Sequence, residues 1–491
     1  MASATSSYPL ILTQGGDDRL VLKSQGTNKY HCTPEPIEGA LFRGSCTCNI
    51  PTKEAYAAAE SAYNALQNEE VTVSDIMEGV RTQLKTLYDL PPGSEVFLCP
   101  SGSDAEYIPL LIAKTLSKGR KIVNIVTCDK EVGSGTLDAA GGRYFSDTVP
   151  LPDADDKVGE KITGKPLEGL EKDVETVAIP ARDKSLGSIN NAADPVQEIV
   201  DRCAAEDAVP IVHSVLGSKT GIYEPFPQTN FGKLVSTRDA FVVVDACQGR
   251  FWSKDIQDCL NKGAFVLITG SKFFRGPPFS GAVIVPGSIM ERLVLTDVDM
   301  PSGLRKFITS NDVPPALESW RSALKKDDNT GLALRWVSAL TEMGHTLTLS
   351  DQERDRAMDV WNSFIQSTIA NYPNEMEVFE PVDRTSIISL RLKNVAEGSG
   401  YLKTDECKKV FEWMTLDLSS KLDDPVAAHR CYIGQPVSIT KEDAVVRTAL
   451  GSDSLRLILS NEKAALAEDG AILAKLSYLV RNYKDICEKL K

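Results

Sequence analysis

The stretch FVLITGSKFFRGPPFSGAVIVP, residues 265–286, places one lysine between two apolar runs. The first run ends shortly before Lys272, and the second spans residues 282–285. Both runs have the length and composition of buried strands, and a segment rich in glycine and proline joins them. A lysine in such a setting is expected to be paired or used chemically, because burying an unpaired charge is costly.

Outward from this stretch, short apolar runs alternate with segments whose apolar residues recur at helical spacing. The runs are EVFLCPS, RKIVNIVTCD, KDVETVAIPA, AVPIVHSV and AFVVVDAC, and helical patterns such as DAEYIPLLIAKTLSKG separate them. Strands that are nearly all apolar and joined by helices indicate a largely parallel sheet with both faces covered. The predicted fold class is therefore α/β, with a large domain built on a mostly parallel sheet flanked by helices.

The chain has 491 residues, which is too long for one simple core, so more than one domain is expected. Near the C-terminus, SIISLRL and SLRLILS read as strands and KTDECKKVFEWMTLDLSSKL reads as a helix, which indicates a smaller α+β domain. The predicted organisation is an N-terminal arm and helix over residues 1–70, the large domain over 71–300, a connecting helix over 301–345 and the small C-terminal domain over 346–491.

The composition argues against several classes of function. The net charge is −14, which argues against a general binder of nucleic acid or anionic membranes. No apolar run reaches the ~20 residues of a membrane helix, and the N-terminus lacks the basic region of a secretory signal. The 11 cysteines are scattered and the four histidines are not spaced as metal ligands. We therefore expect reduced thiols, a cytoplasmic protein and no metal site.

In an open α/β sheet, ligands bind at the carboxyl ends of the strands. After one predicted strand, Ser101-Gly102-Ser103 turns directly into a helix, and N–H groups at a helix start bind anions such as phosphate. The alternative is a plain N-cap by Ser101 or Ser103. Asp245 ends another strand, with Gln248 one turn further on. This aspartate is either a cap or a partner for a cationic ligand atom.

Two further positions carry polar side chains in apolar surroundings. Thr269 and Ser271 precede Lys272, and their hydroxyls can contact an anion. A lysine held in an apolar pocket supplies the neutral amine that imine chemistry needs; the alternative, a surface lysine on a turn, is disfavoured by the flanking phenylalanines. Arg456 stands among leucines in SLRLILS, where an arginine needs a carboxylate. Its alternative is an ordinary structural ion pair.

One ligand accounts for these features together. Pyridoxal 5′-phosphate offers a basic ring nitrogen to Asp245, an aldehyde to Lys272 and a phosphate to the small polar turns. The expected phosphate contacts are Gly102, Ser103, Thr269 and Ser271. An aspartate at the pyridine nitrogen keeps it protonated, so that the ring acts as an electron sink.

The chain resembles fold-type I pyridoxal-phosphate enzymes, which have the aspartate-aminotransferase-like fold, and in particular the class V aminotransferase and cysteine desulfurase group. The shared order is a small polar turn, then Asp245-x-x-Gln248, then Thr269-x-x-Lys272. The resemblance implies that Lys272 bonds the cofactor, that Asp245 pairs with the pyridinium nitrogen and that Gln248 lies near the ring hydroxyl. It also implies that Arg456 binds the substrate carboxylate and that the protein is a homodimer with sites at the subunit interface.

The sequence departs from that group in two places. Many members stack a ring on the cofactor soon after the segment TCDKE, but this chain has none there, so we expect Glu131 or Val132 to fill the space. The desulfurase nucleophile belongs at Ile433, whereas Cys431 lies two residues earlier, and a mobile loop would have to present it. Ser218 is expected as a turn residue rather than as a contact of the ring hydroxyl.

These features predict a pyridoxal-phosphate enzyme that acts on an amino acid or a related amine with a carboxylate. Aminotransfer is the first choice. The alternative is a lyase, either C–S cleaving like a desulfurase or decarboxylating, because the same residues serve all of these reactions. A non-catalytic binding protein is the remaining class, and the pair of Asp245 and Lys272 argues against it.

Overall fold

The computed structural model describes residues 7–44, 46–157, 159–183, 193–222, 239–380, 385–440 and 442–490. The strands are β1 (Leu41–Arg43), β2 (Glu95–Cys99), β3 (Ile122–Asp129), β4 (Val174–Pro180), β5 (Val209–Val215), β6 (Phe241–Asp245), β7 (Phe265–Thr269), β8 (Gly281–Val285), β9 (Met376–Val378), β10 (Ile387–Leu392), β11 (Cys431–Ser438) and β12 (Ala444–Ala449). The helices are α1 (Tyr8–Ile11), α2 (Lys53–Gln67), α3 (Val73–Leu87), α4 (Tyr107–Ser117), α5 (Thr136–Ala140), α6 (Ala193–Ala205), α7 (Ser253–Asn261), α8 (Gly287–Leu293), α9 (Glu318–Ser322), α10 (Thr330–Thr346), α11 (Asp351–Ile369), α12 (Thr404–Met414), α13 (Ser452–Arg481) and α14 (Tyr483–Lys489).

Seven strands form the large sheet in the order β2-β8-β7-β6-β5-β3-β4. Strand β8 pairs antiparallel with β2 and β7, and the other neighbouring pairs in this sheet are parallel. Strands β5, β7 and β8 are buried at every residue, as expected when helices cover both faces. The prediction of an α/β fold with a mostly parallel sheet flanked by helices is confirmed.

A second sheet of five strands has the order β1-β11-β12-β10-β9. The N-terminal strand β1 pairs parallel with β11, so the start of the chain packs with its C-terminal part. The buried guanidinium of Arg43 donates to both carboxylate oxygens of Asp469 on α13, at 2.7 and 2.9 Å. This two-pronged geometry joins β1 to the long C-terminal helix.

The segment SLRLILS is helical, which corrects the expectation of a strand. It belongs to the first turns of α13, which begins at Ser452. The N–H of Gly451 donates to Oγ of Ser454 at 2.8 Å and so caps the helix start. A short apolar run fits a buried strand and a buried helix equally well, so its pattern did not decide between them. The segment 301–345 likewise holds α9 and most of α10 rather than one connecting helix.

Three properties of the described residues bear on the class of protein. No helix among them combines the length and hydropathy that crossing a bilayer requires. In the same ranges, no cluster of three or more histidine, cysteine or acidic side chains is arranged to hold a metal ion. All 11 cysteines are free thiols.

Candidate functional site

One cavity lies where the carboxyl ends of the parallel strands approach the small sheet. Its wall includes the predicted residues from three separate segments: Gly102, Ser103, Asp245, Gln248, Thr269, Ser271 and Lys272. The parallel strands bring these segments to the same edge of the sheet. Arg456 does not line this cavity. The structure therefore brings together every predicted site residue except the arginine expected for the substrate.

Lys272 lies in the turn between β7 and β8, half-buried and on the cavity wall. Its neighbours Phe273 and Phe274 are buried, and their rings meet edge to face at 5.2 Å. Gly270 has no room for a side chain, because a Cβ there would lie 2.5 Å from Cβ of Ala339. The turn is thus anchored in the core by its phenylalanines, while the lysine faces the cavity.

The turn after β2 presents Gly102 and Ser103 to the cavity. Ser101 acts as the cap of this turn, because its Oγ accepts from the N–H of Ser103 at 3.2 Å. The hydroxyl of Thr269 donates to the carbonyl of Cys247 at 2.7 Å. The hydroxyl of Thr269 is therefore already paired with the backbone. Gly102 and Ser103 remain as polar groups that face the cavity.

Arg19 is a cavity residue that the sequence did not reveal. Its guanidinium donates to Oγ of Ser101 at 2.9 Å and to Asp17 at 2.7 Å, and it lies 4.1 Å from the centre of the Phe279 ring. These contacts place a cation beside the small polar turn. No local pattern marks Arg19, because its partner Ser101 is 82 positions away in the chain.

Asp245 ends β6 and lines the cavity together with Gln248. On the neighbouring strand β5, Nδ1 of the buried His213 lies 3.4 Å from Oε2 of Glu106. Burial lowers the pKa of His213 to about 4, although Asp245 raises it, and burial raises the pKa of Glu106 well above its usual value. Burial thus favours the neutral form of both groups, which lie beside Asp245.

Glu131 follows β3 and is tied into a network rather than left open. Its carboxylate accepts from Oγ of Ser218 at 2.5 Å, from Nε of Arg182 at 2.7 Å and from the N–H of Thr220 at 3.3 Å. These bonds hold the loop after β5 against the turn after β3. Val132 also lines the cavity, so an aliphatic side chain stands where the resemblance implied a ring.

Arg456 lies on α13, where its Nη2 is 2.6 Å from Oε2 of Glu342. The prediction that it lies in a strand is wrong, and its contact is the structural ion pair that was the alternative. Arg447 on β12 lines the cavity instead, and its Nη2 donates to the carbonyl of Gln435 at 3.0 Å. An arginine inside the buried run AVVRTA is the signal that could have identified it.

The cysteine at the cavity also differs from the one considered in the sequence. Cys431 is buried in β11 away from the cavity wall, and burial raises its pKa to about 12. Cys46, which follows β1, does line the cavity. Hydrogen bonding from the neighbouring Cys48 lowers the pKa of Cys46. A reactive thiol at this site would therefore come from the N-terminal segment.

No protein-family model matches the chain, and no curated protein matches it. Among solved structures, the cysteine desulfurase CsdA from Escherichia coli has a TM-score of 0.54 at 12% identity, over 90% of this chain and 96% of that one. The alanine–glyoxylate aminotransferase from Nostoc sp. has a TM-score of 0.54 at 12% identity, over 91% and 97%. Oryza sativa TDC with PLP and tryptamine has a TM-score of 0.51 at 12% identity, over 90% and 83%. The chain thus has the fold of fold-type I pyridoxal-phosphate enzymes.

Proposed function

We propose that this protein is a pyridoxal-phosphate enzyme that performs aminotransfer on an amino acid or a related amine with a carboxylate. The observation that carries the proposal is the convergence of Lys272, Asp245 and Arg447 on one cavity. A primary amine can bond an aldehyde, a carboxylate can pair with a pyridinium nitrogen, and a guanidinium can bind a carboxylate through two parallel N–H groups.

The residues of the cavity fit this cofactor. A Cβ at Gly102 would lie 2.9 Å from Sγ of Cys247 and 3.1 Å from Cγ2 of Thr269, so glycine keeps the turn close to the wall with its backbone open to a phosphate. Ser103 and Ser271 line the same cavity and add hydroxyl donors. When bound, pyridoxal phosphate supplies an electron sink for the bond that breaks at the substrate Cα.

Each residue then has its own task. With pyridoxal phosphate bound, Nζ of Lys272 would be the amine that holds its aldehyde, and the same nitrogen would accept the proton from the substrate Cα as general base. Asp245 would hold the proton on the ring nitrogen, and Gln248 would lie near the ring hydroxyl. Arg447 orients the substrate by its carboxylate, so that Cα–H faces Lys272.

The cofactor part of the proposal is tested by colour and by chemical trapping. The purified protein should have the absorbance band of lysine-bound pyridoxal phosphate, and borohydride should fix the cofactor on Lys272, as mass spectrometry of peptides would show. Lys272→Ala should lose the band, whereas Lys254→Ala, an exposed lysine on α7, should keep it. A colourless protein that borohydride does not modify at Lys272 would overturn the proposal, including its claim of catalysis.

A C–S lyase of the desulfurase type is the second candidate, and the position of Cys46 in the cavity favours it. Incubation with a panel of amino acids separates the reactions. Keto-acid products support aminotransfer, whereas alanine with sulfide supports C–S cleavage and carbon dioxide supports decarboxylation. If the substrate sulfur passes to Cys46 as a persulfide, an added dithiol would release it as sulfide and become a disulfide; Cys46→Ser should abolish this release and Cys431→Ser should not.

We also propose that the protein is a homodimer in the cytoplasm. Its free thiols are typical of a reducing compartment, and the dimer is implied by the family resemblance. Light scattering of the purified protein should give twice the mass of one chain, and a monomeric mass would contradict the dimer. Fractionation of cells that produce the protein tests its compartment.

A further inference from the structure

Arg447 and Lys219 are two cations on the cavity wall, and neither has a carboxylate partner within the described ranges. Arg447 is buried and donates to carbonyl oxygens: to Gln435 at 3.0 and 3.3 Å and to Lys219 at 3.0 Å. Nζ of Lys219 donates to the carbonyl of Lys130 at 3.4 Å. Both positive charges are thus held by backbone dipoles alone, which leaves them able to bind an anion.

The acidic groups nearest to Lys219 are already engaged elsewhere. Glu131 accepts from Nε of Arg182 at 2.7 Å, and Asp129 lies 3.3 Å from Nζ of Lys130. Neither forms an ion pair with Lys219 in the part of the chain that the structure describes. The loop that carries Lys219 is fixed, because its N–H donates to the carbonyl of Glu131 at 2.9 Å.

The charges around Lys219 also favour the binding of a negative group beside it. Burial, followed by the positive charges of Arg447 and Lys272, lowers the pKa of Lys219 to about 8, although Glu131 and Asp129 raise it. Among the described residues, these four side chains have the main charge effects on its ammonium group. An anion bound between Lys219 and Arg447 would relieve the repulsion and favour the protonated amine.

The order of strands separates Lys219 from the phosphate end of the cavity. Gly102 follows β2 and Ser271 follows β7, whereas Lys219 follows β5, which lies on the other side of β6. Asp245, at the end of β6, stands between the two sides. A cofactor that pairs with Asp245 and has its phosphate at Ser271 would therefore lie on the far side of β6 from Lys219. The ammonium group of Lys219 then remains available to the substrate.

We propose that Lys219 binds a second acidic group of the substrate, a side-chain carboxylate, while Arg447 binds its α-carboxylate. The hydrogen bond from Nη1 of Arg447 to the carbonyl of Lys219 holds the two sites next to each other. The substrate class is then the dicarboxylic amino acids. This inference rests on the proposed function, because it assigns the substrate of the same cavity.

Calorimetric titration of the pyridoxal-phosphate-loaded protein with succinate and with butyrate tests the second site. The two acids have the same chain length and differ in one carboxylate. Succinate should bind about tenfold more tightly, the effect of one charge-assisted hydrogen bond. Lys219→Gln should remove this preference without changing the affinity for butyrate. Lys130→Gln, which removes an exposed charge from the adjoining turn, should keep it.

The pH dependence separates binding by Lys219 from a merely structural role. The preference for succinate should fall as the pH rises through about 8, because Nζ of Lys219 then loses its proton. Lys219→Arg should retain the preference above that pH, since a guanidinium stays charged. The comparison of the unmodified protein with Lys219→Arg still tests the inference if Lys219→Gln does not fold.

Equal affinity for the two acids, or a preference that survives in Lys219→Gln, would overturn the inference. The inference would also be overturned if the unmodified protein kept its full preference for succinate as the pH rises through about 8. If the protein takes up no cofactor on Lys272, the proposed function is overturned; a preference for succinate that depends on Lys219 in the unloaded protein would still leave the anion site standing. The two failures are therefore distinguishable.

Discussion

Nη2 of Arg456 lies 2.6 Å from Oε2 of Glu342, a carboxylate with no exposed surface. The same carboxylate accepts from the hydroxyl of Thr52 at 2.7 Å and from that of Ser452 at 3.1 Å. Three donors from two segments thus converge on Glu342. They join the first turns of α13 and the start of α2 to α10, so the task of Arg456 is to support the packing of these helices.

Arg456→Ala should therefore lower stability and leave substrate binding intact. Removing the guanidinium leaves a buried carboxylate with one donor fewer, which costs about 1–3 kcal/mol. Urea denaturation should show this loss in the free energy of unfolding. Weaker binding of butyrate by a variant of unchanged stability would instead favour a role for Arg456 at the substrate.

Arg447→Lys should instead weaken the binding of a carboxylate. A lysine keeps the charge but lacks the two parallel N–H groups that bind a carboxylate, so the affinity for butyrate should fall by about tenfold or more. Arg391→Lys is the matched control, because Arg391 pairs with Asp443 at 2.8 Å in the same small sheet and does not line the cavity. Equal affinities in the two variants would contradict the assignment of Arg447.

Gly102→Ala should weaken retention of the cofactor. The added Cβ would stand 2.9 Å from Sγ of Cys247, so the turn must shift away from the wall that we propose binds the phosphate. Dialysis followed by absorbance should show faster loss of pyridoxal phosphate. Gly79→Ala, in the interior of α3 with nothing within 4 Å of its Cβ, should retain the cofactor and gain up to about 1 kcal/mol of stability.

Cys46 should react with an alkylating reagent faster than Cys431 does. Hydrogen bonding from Cys48 lowers the pKa of Cys46, so Cys46 should react with iodoacetamide at a lower pH than an ordinary thiol does. Cys431, with a pKa raised to about 12 by burial, should stay unmodified. Mass spectrometry of digested protein measures both, and a Cys46 rate that rises only above pH 8 would contradict the lowered pKa.

The strand-end residues could be predicted because their signals are local. Asp245 and Lys272 each stand within a few residues of an apolar run that ends in a turn, and parallel strands deliver such turns to one edge of the sheet. The anchoring phenylalanines beside Lys272 are visible in the same stretch. No contact between distant parts of the chain is needed to infer either position.

Arg456 shows where this kind of inference fails. Its segment, SLRLILS, is too short for periodicity to separate a strand from a helix, and the partner that accounts for its charge, Glu342, is 114 positions away. Arg19, Cys46, Lys219 and Arg447 were missed for a related reason. Each reaches the cavity through contacts that form only when the N-terminal segment, the β5 loop and the small sheet pack together.

The sequence by itself therefore determined the parallel sheet and the lysine and aspartate at its edge, because alternating apolar runs and turns encode both locally. Tertiary structure alone decided which cations and which thiol share the cavity. Arg456 in α13 pairs with Glu342, whereas Arg447 in β12 is held at the cavity by backbone carbonyls. A guanidinium is placed by its nearest acceptors, and the fold chooses those acceptors from segments far apart in the chain.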